Sequence, residues 1–395
     1  MRLLFVTTSY PSKTNPSSGI FVHLLVRSLK DLGHDIRVIT PAGNEQHGFE
    51  IFEGIEVHRV WYAPKRMRLL AQRPGGISAA VKKNPYLFIT APFLVLFMAM
   101  KVLKMSSSHD VIHGNWEISG FICRIAKINK INNKFLLTLR GEKILLMKSS
   151  FLKRIIYNFI LKKSFFITTT SDNLSIKLKE ILYKFNIFTT IHTIRNGIDK
   201  RFFSLQYPPI TYPIKILYIG SLISGKRVDV LIMACKIAID KGASLELTII
   251  GDGVEKENIF KIIERENLNA YVKILGTVEP IYIYGIMEKF HCLALFSASE
   301  GCPNVVIEAM AAGRAILATN LPGVIELMGG SGCGYTAPVD DVCALSNIIL
   351  QACEQPELLK YMGERARARI AQLGLNWEKT ARSYEEIYER MLQES

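Results

Sequence analysis

The segment from His291 to Thr319 reads HCLALFSASEGCPNVVIEAMAAGRAILAT. An apolar run, HCLALF, is followed by a loop of small and polar residues, a helical stretch that opens near Asn304, and a second apolar run, AILA. Short, fully apolar strands joined through a helix are typical of a parallel sheet covered on both faces. The segment therefore predicts an α/β fold with its chemistry on loops that follow strands.

The same alternation recurs along the chain. The predicted strands are 3–7, 35–40, 110–113, 135–139, 165–169 and 190–194, and then 215–219, 245–250, 272–275, 292–296 and 315–318. Two such series within 395 residues, separated by a proline-rich stretch at 207–213, predict two Rossmann-like doubly wound domains. We expect domains at 1–205 and 206–375 that face each other across a cleft, and a helix at 376–395 that packs back toward the first domain.

The charge is distributed unevenly between the two halves. Residues 1–205 contain 31 Lys or Arg and 12 Asp or Glu, a net charge of +19, whereas residues 206–395 contain 18 and 23, a net charge of −5. A basic half can face nucleic acid, anionic lipid or a diphosphate, and charge alone does not choose among them. Seven cysteines without a C-x-x-C pair favour reduced thiols and a cytoplasmic protein. The start, MRLLFV, is interpreted as a strand rather than a secretory signal.

Two carboxylates stand out in the segment that begins at His291. Glu300 lies on the loop and Glu308 lies one to two turns into the helix, so both can face one ligand at the helix N-terminus. Their spacing, with Gly301, Pro303 and Asn304 between them, resembles the E-x7-E signature of family-4 retaining glycosyltransferases, which have the GT-B fold. The resemblance implies that Glu300 lies by the donor sugar and that Glu308 bonds the ribose hydroxyls. It also places the donor beside Pro303, Asn304 and Val305.

A second motif, GSLISGKR, runs from Gly220 to Arg227 directly after a predicted strand. It differs from a P-loop because Arg227 stands where Ser or Thr would bind Mg²⁺, which disfavours a P-loop NTPase. It resembles the family's G-[RS]-L-x3-K element, in which the lysine, here Lys226, neutralises the donor diphosphate. Ser221 occupies a position where many relatives carry Arg, so we expect the diphosphate charge to rest on Lys226 and Arg227.

Three glycine motifs extend the resemblance. Gly251-Asp-Gly253 and Gly276-Thr-Val278 resemble the family's GDG and LGxV elements, where the nucleotide base lies close to the backbone. The loop that ends at Gly19 resembles the family's N-terminal glycine loop, whose N–H groups approach the donor phosphate.

On the acceptor side, DVIHGNWEISG (residues 110–120) resembles the family's D-V-I-H-x-H element. His113 matches it, and Asn115 stands where a second His is common. In TLRGEK (residues 138–143), Arg140 replaces a His and Lys143 an Asp. His113 is a catalytic candidate or a buried, hydrogen-bonded histidine, and the sequence leaves both open. Residues 195–199 (RNGID) match the family's N-G-[VI]-D turn.

Two segments of the basic half suggest a membrane surface. Residues 85–100 (PYLFITAPFLVLFMAM) form an uncharged run of 16 residues flanked by lysines, which we consider too short and proline-interrupted to span a bilayer. Residues 151–166 (FLKRIIYNFILKKSFF) place apolar and basic residues on opposite helix faces. Each can equally be a core-facing helix. With the +19 charge, we expect peripheral docking on the anionic inner leaflet of the plasma membrane.

Together these features predict a retaining glycosyltransferase that uses a UDP- or GDP-sugar and a glycan or lipid-diphosphate-linked acceptor in polysaccharide biosynthesis. We expect no cofactor and no metal, because no Asp-x-Asp motif is placed to hold one and Lys226, the helix at Asn304 and the Gly19 loop can meet the leaving charge. The catalytic candidates are Glu300, Lys226 and His113. Whether Glu300 is a nucleophile or orients the sugar is open, since front-face attack assisted by the leaving phosphate is equally compatible.

Two other classes of function account for part of the sequence. A GT-B sugar-nucleotide epimerase shares the fold but would release free sugar. A basic protein that binds nucleic acid or membrane without catalysis would account for the charge but not for the glutamate pair, and no interleaved aromatic and basic strand motif is present. We expect no nucleic-acid partner.

Overall fold

A computed structural model describes residues 1–44, 48–71, 76–126, 134–141, 151–161, 166–187 and 189–393. The chain divides into two compact units, one formed by Met1–Gly197 with Trp377–Ser395 and the other by Ile198–Asn376. The division falls after Gly197, whereas the sequence placed the boundary after residue 205. The intervening residues belong to the second unit because Ile198, Phe202 and Leu205 are buried in its core.

The first unit contains an eight-stranded sheet of order β3-β4-β2-β1-β5-β6-β7-β8, in which only β3 is antiparallel to its neighbour. Its strands are β1 Arg2–Val6, β2 Asp35–Pro41, β3 Phe49–Phe52, β4 Ile55–Val60, β5 Val111–Asn115, β6 Lys134–Leu139, β7 Phe166–Thr169 and β8 Thr190–Thr193. Its first six helices are α1 Ile20–Asp31, α2 Gly76–Lys83, α3 Ala91–Ser106, α4 Trp116–Ala126, α5 Phe151–Leu161 and α6 Asp172–Lys184.

Side chains alternate across this sheet and build two cores. Leu4 and Val6 of β1 join a core formed with α3, α4 and α6, whereas Leu3 and Phe5 join a core on the opposite face formed with α1. The last helix of the chain, Trp377–Gln393, completes that second core with Tyr384, Ile387, Tyr388 and Met391. This C-terminal helix therefore packs within the first unit.

The second unit is an all-parallel six-stranded sheet of order β11-β10-β9-β12-β13-β14. Its strands are β9 Ile214–Ile219, β10 Leu245–Ile250, β11 Val272–Gly276, β12 Cys292–Leu295, β13 Ala315–Thr319 and β14 Gly334–Ala337. Its helices are α7 Val228–Asp240, α8 Lys256–Arg265, α9 Pro280–Met287, α10 Asn304–Ala311, α11 Pro322–Met328, α12 Val342–Glu354 and α13 Pro356–Leu373; the C-terminal helix is α14. The strand order reverses between β9 and β12, and ligands of doubly wound sheets bind at the carboxyl ends of such a pair.

The apolar run predicted at 85–100 belongs to a longer helical segment. A 3-10 helix, Pro85–Thr90, leads into α3, and together Pro85–Ser106 spans 22 residues, with a mean hydropathy of 2.0 in its most apolar 18-residue stretch. By length and composition it is the one helix among the described residues that could cross a bilayer. Its Leu87, Leu94 and Met98 nevertheless lie in the core, so one face packs against the sheet.

The second segment suggested for a membrane surface is described only in part. Within α5, Ile160 and Leu161 are buried, whereas Ile155 and Ile156 are exposed. Residues 162–165, which include Lys162 and Lys163, lie outside the described residues, and so does Lys143.

Candidate active site

Lys226 and Glu300 meet at the switch point of the second sheet. Lys226 ends a 3-10 helix, Ser224–Lys226, on the loop after β9, and Glu300 lies on the loop after β12. The Ala298 N–H donates to the Gly225 carbonyl at 3.0 Å, which holds the two loops together. Lys226 Nζ lies 2.5 Å from Glu300 Oε1. A cation and a carboxylate are thus paired where a doubly wound sheet binds its ligand.

Ser297 is a site residue that no motif in the sequence marks. Its fully buried side chain donates a hydrogen bond from Oγ to Glu300 Oε1 at 2.7 Å. Its carbonyl accepts a bond from the Thr319 hydroxyl, also at 2.7 Å, so the residue is anchored to the neighbouring strand. The one sequence feature that points to Ser297 is its position: it is a hydroxyl residue just after the end of a strand, three positions before the loop glutamate.

Helix α10 carries the second glutamate. It starts after Pro303, and Asn304 and Glu308, four positions apart, share one face of the helix. The positive end of the helix dipole suits an anionic ligand at this start. Glu308 is half-buried, and burial, with a smaller contribution from the charge of Asp199, raises its pKa to about 7. Its carboxyl group therefore changes protonation state near neutral pH.

The glycines of the second unit shape the neighbouring loops. At Gly251 (φ 148°), a Cβ atom would lie 1.8 Å from the Gly220 carbonyl oxygen, and at Gly253 it would lie 2.1 Å from that of Leu222. The Gly251 N–H donates to the Gly276 carbonyl at 2.8 Å. The loops after β9, β10 and β11 therefore approach one another closely.

Arg227 is directed toward a partner within its own unit. It adopts a left-handed conformation (φ 51°) at the start of α7, and its guanidinium pairs with Asp340 at 2.6 Å. The predicted donor-binding residues follow four neighbouring strands: Ser221, Lys226 and Arg227 after β9, Gly251 and Gly253 after β10, Gly276 and Val278 at and after β11, and Glu300, Pro303, Asn304, Val305 and Glu308 after β12. No three His, Cys, Asp or Glu side chains are grouped to hold a metal ion in the part of the chain that the structure describes.

In the first unit, the Gly19 loop and the acceptor-side residues lie at the carboxyl ends of β1, β5 and β6. Gly19 has φ 64°, and a Cβ there would lie 2.2 Å from the Ser9 carbonyl oxygen, so the turn into α1 requires glycine. Arg140 stacks over the Phe21 ring at 4.9 Å and donates from Nε to Asn115 Oδ1 at 3.0 Å. Its Nη1 donates to Asn196 Oδ1 at 2.7 Å, which gives the RNGID segment a side-chain contact beyond its predicted turn.

His113 is fully buried inside the first unit. Its Nδ1 lies 2.7 Å from the Tyr388 hydroxyl of α14, and its Nε2 lies 2.6 Å from Thr138 Oγ1. Burial, with a contribution from the charge of Arg140, lowers the pKa of His113 well below its usual value. Both ring nitrogens are occupied by protein groups. This arrangement corresponds to the buried, hydrogen-bonded histidine that the sequence left open, and it gives His113 no free nitrogen for a substrate.

Two family models match this chain. Residues 200–369 match the model described as Glycosyl transferases group 1, and residues 18–175 match the one described as Glycosyl transferase 4-like domain. The chain belongs to the family-4 glycosyltransferases. Similar curated members span its whole length: an uncharacterized glycosyltransferase of Methanocaldococcus jannaschii is 25% identical over 99% of both chains. The N-acetyl-alpha-D-glucosaminyl L-malate synthase of Bacillus anthracis is 25% identical over 100% of this chain and 98% of its own.

Solved structures show that this family-4 glycosyltransferase has the GT-B fold. The sucrose-phosphate synthase of Thermosynechococcus elongatus superposes with a TM-score of 0.79 at 19% identity and covers 100% of both chains. The Anabaena protein HepE, solved in complex with UDP and glucose, superposes with a TM-score of 0.73 at 18% identity over 98% of this chain and 99% of its own. The family and the fold predicted from the sequence are confirmed.

Proposed function

We propose that this glycosyltransferase moves a sugar from a UDP- or GDP-sugar to a glycan or lipid-diphosphate-linked acceptor, with retention of configuration and without a metal ion. The observation that carries the proposal is the contact between Lys226 Nζ and Glu300 Oε1 at the carboxyl ends of β9 and β12. A sugar diphosphate bound there would place its anionic groups against an ammonium and the start of α10. HepE, a protein of the same fold, was solved with UDP.

In the proposed reaction, the bond between the sugar C1 and the diphosphate oxygen breaks as an acceptor hydroxyl oxygen attacks C1 from the same face. The hydroxyl proton passes to the departing phosphate oxygen, so no separate base is required. Lys226 and the N–H groups at the start of α10 stabilise the negative charge that develops on the diphosphate. Because these groups are part of the folded second unit, little reorganisation accompanies the step.

Glu300 is proposed to orient the sugar rather than to attack it. Its Oε1 accepts hydrogen bonds from both Lys226 and Ser297, which stabilise the carboxylate charge and weaken it as a nucleophile. Glu308, four residues beyond Asn304, is proposed to accept hydrogen bonds from the ribose hydroxyls. Gly276 and Val278 would line the base, and Arg140 and Asn115 would lie on the acceptor side.

We propose that the protein acts in the cytoplasm, at the inner face of the plasma membrane. Its proposed role there is in the assembly of a polysaccharide or glycoconjugate. A curated relative from Campylobacter jejuni, 32% identical over 39% of this chain, is named as an enzyme that adds N-acetylgalactosamine to a diphospho-undecaprenol-linked sugar. A lipid-diphosphate acceptor also matches the +19 charge of residues 1–205.

The test is donor hydrolysis over a panel of UDP-, GDP- and ADP-sugars, followed by proton NMR of the first-formed anomer. We expect one donor to be hydrolysed with its anomeric configuration kept, at a rate that EDTA leaves unchanged. Activity that a chelator abolishes and a divalent ion restores would overturn metal independence. An epimerised free sugar without any glycoside product would favour the epimerase instead.

A further inference from the structure

The outer face of Pro85–Ser106 is an exposed apolar surface beside lysines. Ile89, Phe93, Leu96, Phe97 and Met100 recur at intervals of three and four residues, and their side chains are 40 to 66% exposed. The opposite face packs into the core, so the helix is held along the surface of the first unit. Contiguous exposed apolar side chains on a soluble domain mark an interaction surface. We call this set of five side chains the apolar face.

The sequence around the apolar face is basic. From Val57 to His109 the sequence has nine Lys or Arg and no Asp or Glu. Lys101 and Lys104 follow the apolar face on α3, and Arg68 stacks on the half-exposed ring of Trp61 at 4.7 Å. Apolar and aromatic side chains bordered by cations match the interfacial layer of an anionic bilayer.

A groove of about 300 Å³ opens beside the apolar face. Trp61, Phe97 and Met100 form its apolar wall, and His58, Lys101 and Lys104 also line it. Glu56, which contacts His58 at 2.7 Å, is itself bound by Arg37 at 3.1 Å, so part of its charge is compensated. Burial, and the like charge of Lys104, lower the pKa of Lys101. An anion between the two ammonium groups would relieve that repulsion.

We propose that the apolar face lies in the interfacial layer of an anionic phospholipid bilayer and that the groove binds the phosphate of one lipid on Lys101 and Lys104. This proposal rests on the proposed function, which locates the acceptor at a membrane. It adds the surface of the protein that contacts the bilayer and the lipid group that is bound. Binding of a second copy of this chain to the apolar face is disfavoured by charge. A two-fold interface would bring the same patch together with itself, so Lys101 and Lys104 of both copies would lie in one interface, where Glu56, already bound by Arg37, is the nearby carboxylate of each copy.

The experiment is co-sedimentation of the full-length protein with vesicles of phosphatidylcholine, with and without phosphatidylglycerol. We expect binding to the anionic vesicles that 0.5 M salt weakens, and a blue shift of the Trp61 emission that the W61F variant lacks. The triple variant F93Q/L96Q/M100Q should lose about tenfold or more in partitioning. The double variant K101Q/K104Q should lose about tenfold on anionic vesicles and little on neutral ones.

Matched controls lie on α6 of the same unit. I176Q/Y183Q changes two exposed apolar side chains and K179Q/K184Q changes two exposed lysines, and both should bind vesicles as the wild type does. The lysine variant keeps the test valid if the triple variant misfolds. Binding that neither surface variant changes would overturn the proposal, as would a dimer that the triple variant dissociates without any vesicle binding by the wild type.

The outcome is separable from that of the proposed function. The E300Q variant should lose glycosyl transfer and bind vesicles normally, whereas K101Q/K104Q should keep donor hydrolysis in the absence of vesicles. If the wild type binds vesicles but hydrolyses no sugar nucleotide, the catalytic proposal is refuted and the membrane proposal stands.

Discussion

The Nδ1 atom of His113, in the middle of the first sheet, lies 2.7 Å from the hydroxyl group of Tyr388, in the last helix of the chain. Thr138 continues this contact, since its Oγ1 lies 2.6 Å from His113 Nε2 and 2.6 Å from Thr168 Oγ1. Buried polar groups joined in this way stabilise a single arrangement because each would be costly to leave unsatisfied. Helix α14 is therefore attached to the sheet by polar bonds as well as by apolar packing.

The first prediction concerns this contact. Replacing Tyr388→Phe should lower the free energy of unfolding of the first unit by about 1–3 kcal/mol, because a buried imidazole nitrogen loses its partner while the ring volume is kept. Urea unfolding followed by circular dichroism measures the change. Tyr183→Phe, on an exposed side chain, is the control and should stay within about 0.5 kcal/mol of the wild type. Equal effects of the two changes would show that the hydroxyl contact is not needed for stability.

The second prediction concerns the cation and carboxylate at the switch point. Lys226→Ala and Glu300→Gln should each lower kcat by two or more orders of magnitude, roughly the effect of removing a charge stabiliser from a transition state. Steady-state rates of sugar transfer measure this. Lys236→Ala, which removes a half-buried lysine paired with Asp240 on α7, should keep the wild-type rate. Rates near wild type in both site variants would remove the site assignment.

The third prediction concerns Ser297 as a positioning residue. Ser297→Ala should lower kcat by about tenfold with little change in the KM for the donor, because Glu300 would lose the hydrogen bond that fixes its Oε1. Ser244→Ala, on an exposed side chain just before β10 in the same unit, is the matched control. A purely structural role would instead lower the melting temperature and leave kcat unchanged, so both quantities should be measured on each variant.

Much of the fold could be predicted from the sequence, because fully buried parallel strands are continuous apolar runs. All eleven predicted strands are present, within one or two residues of the predicted ends. Strand β4 was missed because IEVHRV alternates buried and half-exposed positions, and β3 pairs with it at the edge of the sheet. Strand β14, GYTA, was missed because it is short and only its last residue is buried.

The site was predictable only where a motif marks it. Glu300 and Lys226 come together as their places after β12 and β9 imply, since carboxyl ends of adjacent parallel strands share one edge of a sheet. Ser297 and the pairing of Arg227 with Asp340 depend on side-chain directions that no spacing in the sequence encodes. His113 is buried because α14 packs against the first sheet, and its contact with Tyr388 joins residues 275 positions apart in the sequence.

The fourth prediction concerns the pH dependence that Glu308 confers. Its pKa in the folded protein, about 7, lies above the ordinary value of 4.5, so the folded protein keeps a proton that the unfolded chain releases. The favourable contribution of the protonated carboxyl to the free energy of unfolding is complete below pH 4.5 and is lost as the pH rises to about 7. Glu308→Gln, which is neutral at every pH, should therefore be more stable than the wild type at pH 8 by roughly 1–3 kcal/mol, and equal to it near pH 4.5.

The fifth prediction is that nucleotide affinity depends on the protonation state of Glu308. If the ionised carboxylate of Glu308 accepts bonds from the ribose, the affinity of the wild type for UDP or GDP should increase as the pH rises through 7. The Glu308→Gln variant should bind more weakly and without that pH dependence. Isothermal titration calorimetry at pH 6, 7 and 8 measures both, and Glu264→Gln, at an exposed position, provides the control. A wild-type affinity that is flat across this range would separate Glu308 from the ribose and leave its raised pKa to burial alone.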